Sequence, residues 1–398
     1  MHFVFTPPGG AAAGLLDLPW GAPLAEWEDE RLVEIRRRGL SRHVVRFVAE
    51  GGEVFALKEL SDRLARREYR LLRELRGLGV PAVEVVGVAV DRDDLDAILV
   101  TRYLEHSTSY RMLFATRRAP AGRVLDALVE LLVRLHLAGF LWGDCSLSNT
   151  LFRPDAGAYA AYLVDAETAE LHPSLSEGQR RYDVELARER IAGELFDLSA
   201  AGTLPAGLDP VAVADDTVRR YTALWDELTR EEVFHRSDQR YRIADRLRRI
   251  NELGFDVDEV ELVDAGGDRS VLRVRTRVHE PGHHRQVLFA RTGLSAEENQ
   301  ARRLLNDIAG YRGYLERESG RPVPEVVAAN EWLAEVYEPV VSAIPDDLRN
   351  RLDEVEIFHE VLEHRWFLSE RGGRDIGTTA AAKDYFTHVL PDVPAADP

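Results

Sequence analysis

The chain has 398 residues, 45% of them hydrophobic, and 51 basic against 69 acidic residues give a formal net charge of −18. The length predicts two domains, and the negative charge argues against nucleic acid or an anionic membrane surface as the main partner, since both need a basic face. No apolar run approaches the roughly 20 residues that span a bilayer, the first ten residues lack the positive segment of a secretory signal, and a lone cysteine, Cys145, excludes an intramolecular disulfide. A cytoplasmic protein is the expectation.

Residues 1–24 hold Pro, Gly and Ala clusters and are expected to form a loosely ordered arm. Glu53–Leu60 alternates as a strand and carries Lys58. A helix is predicted over Asp62–Arg76, with Leu64, Tyr69, Leu71, Leu72 and Leu75 on its apolar face. Val80–Val90 and Asp96–Thr101 read as strands around the turn Asp91–Asp94, and Arg102-Tyr103-Leu104-Glu105 leaves the second of them. Val124–Phe140 places Leu125, Leu128, Val129, Leu132, Leu135 and His136 at helical spacing, with Gly139 as its stop. After the loop Trp142–Asn149, Thr150–Phe152 and Tyr159–Val164 read as a hairpin that delivers Asp165-Ala166-Glu167. Helices follow over Gly178–Ala200 and Pro210–Leu228, and a domain boundary is expected near Thr229–Ser237. Beyond it the expectation is a helix (Asp238–Leu253) and three strands (Glu259–Val263, Ser270–His279, Arg285–Arg291). Helices over Ser295–Glu318, Pro324–Ala343, Asp346–Glu370 and Thr378–Val389 complete the chain.

Three features carry chemistry. Asp144 stands five residues before Asn149, an interval that puts a carboxylate and an amide on one short loop. The hairpin then returns a second carboxylate, Asp165. Lys58 is the third: only it and Lys383 are lysines, and every other basic residue is arginine. A compact ammonium kept on a strand, in a chain that otherwise uses arginine, suits contact with phosphate. Glu68, on the next helix, is the expected partner of Lys58, with Glu74 as runner-up.

With these residues placed, about residues 30–230 resemble the protein-kinase-like superfamily. The likeness is to the atypical bacterial branch of lipopolysaccharide core kinases, Rio-type kinases and aminoglycoside phosphotransferases, on Leu135-His136 and Gly139 ahead of Gly143-Asp144. Residues from about 231 resemble an uncharacterised family of actinobacterial proteins, domain of unknown function 4032. That likeness rests on Thr292-Gly293-Leu294, Glu298-Asn299-Gln300-Ala301 and Glu363-His364-Arg365-Trp366-Phe367-Leu368-Ser369-Glu370. An Ala-, Arg-, Glu- and Gly-rich chain with almost no lysine fits a high-GC bacterial genome.

The resemblance implies an α+β, bilobal kinase-like fold over 25–230, with a sheet lobe to about 104 and a helical lobe after it; the elements beyond read as a smaller, mainly helical α+β domain over 231–398. It implies ATP and Mg²⁺ as cofactors and an unidentified hydroxyl acceptor. Lys58 would contact the nucleotide phosphates and Glu68 would position it. Asn149 and Asp165 would hold Mg²⁺, and Asp144 would take the acceptor's proton. The backbone of Arg102, Tyr103 and Leu104 would meet the adenine ring, and Ser41, in the loop Arg36–Ser41, would help cradle phosphate. A protein partner or homodimer through the C-terminal domain is compatible with this plan. The departures are a phosphate loop with one glycine, Trp142-Gly143 in place of His-Arg before Asp144, and no activation-loop signature after Asp165. The reading is a phosphotransferase acting on a small molecule, sugar or protein. A nucleotide-binding pseudoenzyme or scaffold, and nucleotidyl transfer to a protein, are the alternatives.

Other motifs carry less. His279, His283 and His284 are expected in a hairpin loop rather than around a metal. His359 and His364, with Glu360 between them, lie five apart, about 140° around a helix, and cannot share a zinc ion. Glu363–Trp366 is expected to serve packing, Cys145 to fill the loop core, and His136 to hydrogen-bond within the loop framework.

Overall fold

The computed structural model describes residues 1–5, 11–35, 43–115, 121–235, 239–253, 255–264, 269–277, 283–372, 374 and 376–394. By its contacts the chain divides into two units. One comprises residues 1–152, 161–228 and 278–280, the other residues 153–160, 229–277 and 281–398.

The first unit begins with β1 (His2–Phe5), β2 (Leu32–Val33), β3 (Val45–Glu50), β4 (Glu53–Leu60), α1 (Asp62–Gly77), β5 (Val85–Val90) and β6 (Ala97–Arg102). The strands form one antiparallel sheet in the order β1-β5-β6-β4-β3-β2. Alternation along β4 buries Phe55 and Leu57 on one face. Lys58, on the opposite phase, stands between Val45 of β3 and Leu99 of β6.

The expected loose arm over 1–24 is a correction. β1 closes one edge of the sheet, and Leu15, Leu18, Trp20, Leu24 and Trp27 pack with Val48, Phe55, Val86 and Ile98 into one core. Both indole N–H groups find carbonyls, Trp20 on Leu15 (2.9 Å) and Trp27 on Ala22 (3.0 Å). Arg92, buried in the supposed acidic turn, donates to the Trp20 carbonyl at 2.8 Å and pairs with Glu59. Composition suggested disorder, but large apolar side chains buried at about 1.5–3 kcal/mol each outweigh the Pro and Gly around them.

The chain continues with β7 (Thr108–Ser109), α2 (Tyr110–Ala115), α3 (Ala121–Leu137), β8 (Phe140–Leu141), β9 (Thr150–Asp155), β10 (Ala158–Leu163), β11 (Glu170–Leu171), α4 (Glu177–Ala200) and α5 (Pro210–Thr229), of which the β9–β10 tip, residues 153–160, is counted in the second unit. α3 is apolar on nearly every side and buries Val124, Leu125, Leu128, Leu132 and Leu135. Gly139 ends it with φ +79, where a side chain would strike the His172 carbonyl. A capping box starts α4: the Ser176 hydroxyl accepts the Gln179 N–H, and the Gln179 side chain accepts the Ser176 N–H.

In the second unit, β12 (Glu232–His235), α6 (Gln239–Glu252), β13 (Asp256–Asp264) and β14 (Arg269–Arg277) lead into α7 (His283–Thr292), α8 (Glu298–Ser319), α9 (Glu325–Trp332), α10 (Glu338–Ser342), α11 (Glu354–Gly372) and α12 (Thr378–His388). Its sheet runs β12-β14-β13, and β12 was not anticipated. Arg285–Arg291, expected as a strand, lies in α7. The Glu298 carboxylate accepts the N–H groups of His284 (3.1 Å) and Arg285 (3.3 Å), so a distant residue satisfies the donors that open this helix. The expected helix over Asp346–Glu370 is likewise broken. Asp353 accepts the N–H groups of Val355 and Glu356 and starts α11 anew. The core gathers Trp332, Tyr337 and Phe358, with ring centroids 5.0–5.7 Å apart, against Leu304, Ile308 and Tyr385. Among the described residues no helix is long and apolar enough to cross a membrane.

Candidate active site

Lys58 is the hub of the first unit's polar interior. Its Nζ lies 3.0 Å from Glu68, 2.9 Å from Asp165 and 3.9 Å from Glu167. Three elements deliver these groups: β4 brings Lys58, α1 brings the buried Glu68, and the segment after β10 brings Asp165 and Glu167. Glu74, the runner-up, is exposed on α1. Burial works against the charge on Lys58, but the Glu68 and Asp165 carboxylates outweigh it and hold its pKa above the ordinary lysine value. Burial also pushes the Glu68 pKa up to about 7, against the pull of Lys58. These directions disagree about how ionic the pair is. We read it as ionic, because the ammonium meets two carboxylates at about 3 Å and Asp165 is not fully buried.

The hairpin sets the position of Asp165. Leu163 donates to the Pro81 carbonyl at 3.1 Å and accepts from the Val83 N–H at 2.9 Å, and the Val164 N–H bonds the Asn149 carbonyl at 3.0 Å. One ladder therefore ties the loop carrying Asn149 to the strand leading into Asp165. Asp165 is held in turn by the Trp142 indole N–H on its carbonyl (3.1 Å) and by the Glu167 N–H on its Oδ1 (3.0 Å).

Within the loop, Asn149 Nδ2 donates to the Asp144 carbonyl and to Asp144 Oδ2, each at 3.1 Å. Gly143 turns the chain with φ +72, a conformation that disfavours any side chain. Helix α4 holds the loop from outside, a role sequence reasoning missed. Asp183, fully buried, accepts the N–H groups of Trp142 (2.7 Å) and Gly143 (2.8 Å) and faces His136 Nε2 at 3.1 Å. Glu194 accepts the N–H groups of Leu147 (2.8 Å) and Ser148 (2.9 Å). Arg190 Nε lies 3.1 Å from Asp144 Oδ1. Residues 183, 190 and 194 are spaced by seven and four, one face of a helix. Charged residues on the same stripe as the buried Val184, Ala187 and Ile191 were the available signal.

His136 hydrogen-bonds in this framework as expected, to Tyr221 (2.6 Å) and Asp183, and burial holds its pKa below the ordinary value. Cys145 is buried, and its thiol pKa is pushed well up by burial, then by Asp183, Glu194 and Asp144. In the segment Arg102–Leu104, the Arg102 and Tyr103 N–H groups are already bonded, to Glu84 and Val54 carbonyls at 2.8 Å each. The Arg102 side chain pairs with Glu53 and Glu84. Ser41 and the loop Arg36–Ser41 lie outside the described residues.

In the second unit His283 and His284 open α7 instead of forming a hairpin loop, and His279 lies outside the described residues. His284 pairs with Glu298 at 2.6 Å. His359 and His364 point to different partners, Glu363 and Asp384. Trp366, expected in packing, is 66% exposed.

Residues 25–188 match the model of the lipopolysaccharide kinase (Kdo/WaaP) family. Residues 223–390 match a domain of unknown function, DUF4032. These are the two resemblances read from the residues, on overlapping parts of the chain. A solved structure described as "WaaP in complex with acyl carrier protein" is 18% identical, over 64% of this chain and 99% of that one, with a TM-score of 0.36. No curated protein matches the chain.

Proposed function

We propose that the first unit is an ATP- and Mg²⁺-dependent phosphotransferase that moves a phosphoryl group to the hydroxyl of a small molecule, sugar or protein. The observation that carries it is Lys58 bridging Glu68 and Asp165, next to a loop in which Asn149 braces Asp144. Phosphoryl transfer asks a protein mainly for positioning and for fixed charge, which this set supplies.

Lys58 neutralises the nucleotide phosphates, and Glu68 keeps its ammonium aimed at them. Carboxylate oxygens of Glu68, Asp165 and Glu167 lie within 4.8 Å of one another; with Glu68 committed to Lys58, Asp165 and Glu167 offer the hard oxygens that Mg²⁺ takes. Asp165, with the amide oxygen of Asn149, would hold that ion, which supplies charge stabilisation for the transferred group. Asp144 orients the acceptor hydroxyl and takes its proton. Among Arg102, Tyr103 and Leu104, the Leu104 N–H makes no hydrogen bond with the described residues and is the donor available to adenine.

Thermal shift with ATP and Mg²⁺ tests nucleotide use. Wild-type protein is stabilised, and Asp165→Ala is not. ADP release and mass analysis of the product then test transfer, with a gain of phosphate expected in the wild type and loss of that gain in Asp144→Ala. Wild-type protein that neither binds ATP nor modifies any acceptor sinks the proposal, and a gain of nucleotide mass replaces phosphotransfer with nucleotidyl transfer.

A further inference from the structure

Of the three α4 side chains that meet the catalytic loop, Asp183 and Glu194 turn inward and spend their oxygens on loop N–H groups. Arg190 is different. Its side chain is 60% exposed, and the ion pair it makes among the described residues is that of Nε with Asp144 Oδ1, at 3.1 Å. Asn149 holds the other carboxylate oxygen of Asp144. Both oxygens of the proposed base are therefore engaged, one by an amide of its own loop and one by a solvent-facing guanidinium from another element.

The loop supplies no cation of its own. Cys145, Ser146, Leu147 and Ser148 stand between Asp144 and Asn149, in a chain with 51 basic residues. The nucleotide side of the site has Lys58, committed to Glu68 and Asp165. Arg190 sits instead at the Asp144 oxygen that Asn149 does not hold. A guanidinium edge matches phosphate or carboxylate with two parallel hydrogen bonds.

We propose that Arg190 determines acceptor specificity: it binds a phosphate or carboxylate group carried by a small hydroxyl acceptor, and that exchange frees Asp144 Oδ1 for the hydroxyl. This rests on the phosphotransferase reading above. The acceptor oxygen bonds to the γ-phosphorus as the bond from that phosphorus to the β,γ-bridging oxygen breaks. The hydroxyl proton passes to Asp144 Oδ1, and ADP leaves with the bridging electron pair. An acceptor without an anionic group leaves Arg190 on Asp144 and meets an occupied base.

The test uses the full chain with Mg²⁺. Calorimetry first measures a non-hydrolysable ATP analogue, and then glycerol, glycerol 3-phosphate and glycerate added to the analogue complex. The two anions are expected to bind at least tenfold more tightly than glycerol, and phosphate and carboxylate are compared directly. In Arg190→Met that preference falls to within twofold, and Arg190→Lys keeps part of it. ATP turnover with the same alcohols separates specificity from structure. In Arg190→Met the KM for the anionic alcohol rises at least tenfold while the KM for ATP moves less than twofold. An arginine that only held the loop would lower kcat on charged and neutral alcohols alike, and the lysine variant would not restore a preference. Equal binding of charged and neutral alcohols by wild-type protein, no saturable binding of either anion, or a preference that survives in Arg190→Met overturns the inference and leaves the nucleotide site standing. Failure of the ATP analogue to bind overturns the phosphotransferase reading and this inference together.

Discussion

Asp183 in the first unit and Asp155 in the second are both buried carboxylates that accept backbone N–H groups where the chain turns. Asp183 takes those of Trp142 and Gly143, at 2.7 and 2.8 Å. Asp155, on the hairpin tip that belongs to the second unit, takes those of Asn299 and Gln300 at the start of α8, at 3.0 and 2.7 Å. The local physics is the same, since a carboxylate satisfies donors that have no other partner. The consequences differ. The loop held by Asp183 carries Asp144, part-exposed and facing the exposed side chain of Arg190. The Asp155 network closes on itself: Glu356 accepts from the Ala156 N–H and from Gln300, and all three side chains are buried. A buried carboxylate thus marks a held backbone, and the two cases differ in whether that backbone turns a second carboxylate toward solvent.

Five experiments bear on this contrast. The largest expected effect is on turnover. Asp144→Asn should lower kcat on the order of 10²–10⁴-fold, the usual worth of a positioned base, with the urea unfolding midpoint little changed. A drop below tenfold removes Asp144 from the chemistry. Next, Asp183→Ala leaves two loop N–H groups and His136 without their acceptor, and should cost about 3 kcal/mol of stability, in addition to turnover. If urea unfolding detects less than about 1 kcal/mol, the loop is held by something else. Asp155→Ala should cost about 2 kcal/mol by uncapping α8 while kcat stays within twofold. A comparable loss of turnover would erase the distinction between the two carboxylates.

The smaller effects concern protons and the thiol. Burial, reinforced by Glu297, pushes the Asp155 pKa up to about 8 against the N–H groups of Asn299 and Gln300, and burial pushes Glu356 to about 7. Both folded-state values lie above the unfolded ones, so the folded chain binds more protons between about pH 4 and 8. Their contribution is complete below about pH 4 and is lost as pH rises through about 7 to 8. Stability by urea unfolding should therefore fall from pH 5 to pH 8, and Glu356→Gln should flatten the slope. A slope unchanged in that variant assigns the effect to other groups. Last, Cys145 should resist iodoacetamide at pH 8 while the chain is folded and react in urea, because its thiol is buried with a raised pKa. Rapid labelling of the folded chain would contradict the closed loop core.

Short spans were legible from residue order alone. Period-two alternation named β4 to the residue, helical spacing placed α1 and α3, and a five-residue interval singled out Asp144 and Asn149. Two lysines in an arginine-rich chain marked Lys58. Tertiary structure alone decided partnerships across long separations: Lys58 with Asp165, 107 residues on, and Asp183 with a loop about 40 residues before it. It also decided that the N-terminal arm packs, through Trp20 and Trp27, and that Arg285–Arg291 is helical, through Glu298. Periodicity records which face of an element is apolar. Which distant donor or acceptor meets that element depends on how the chain closes in space, and Arg190 and Asp183 became visible only there.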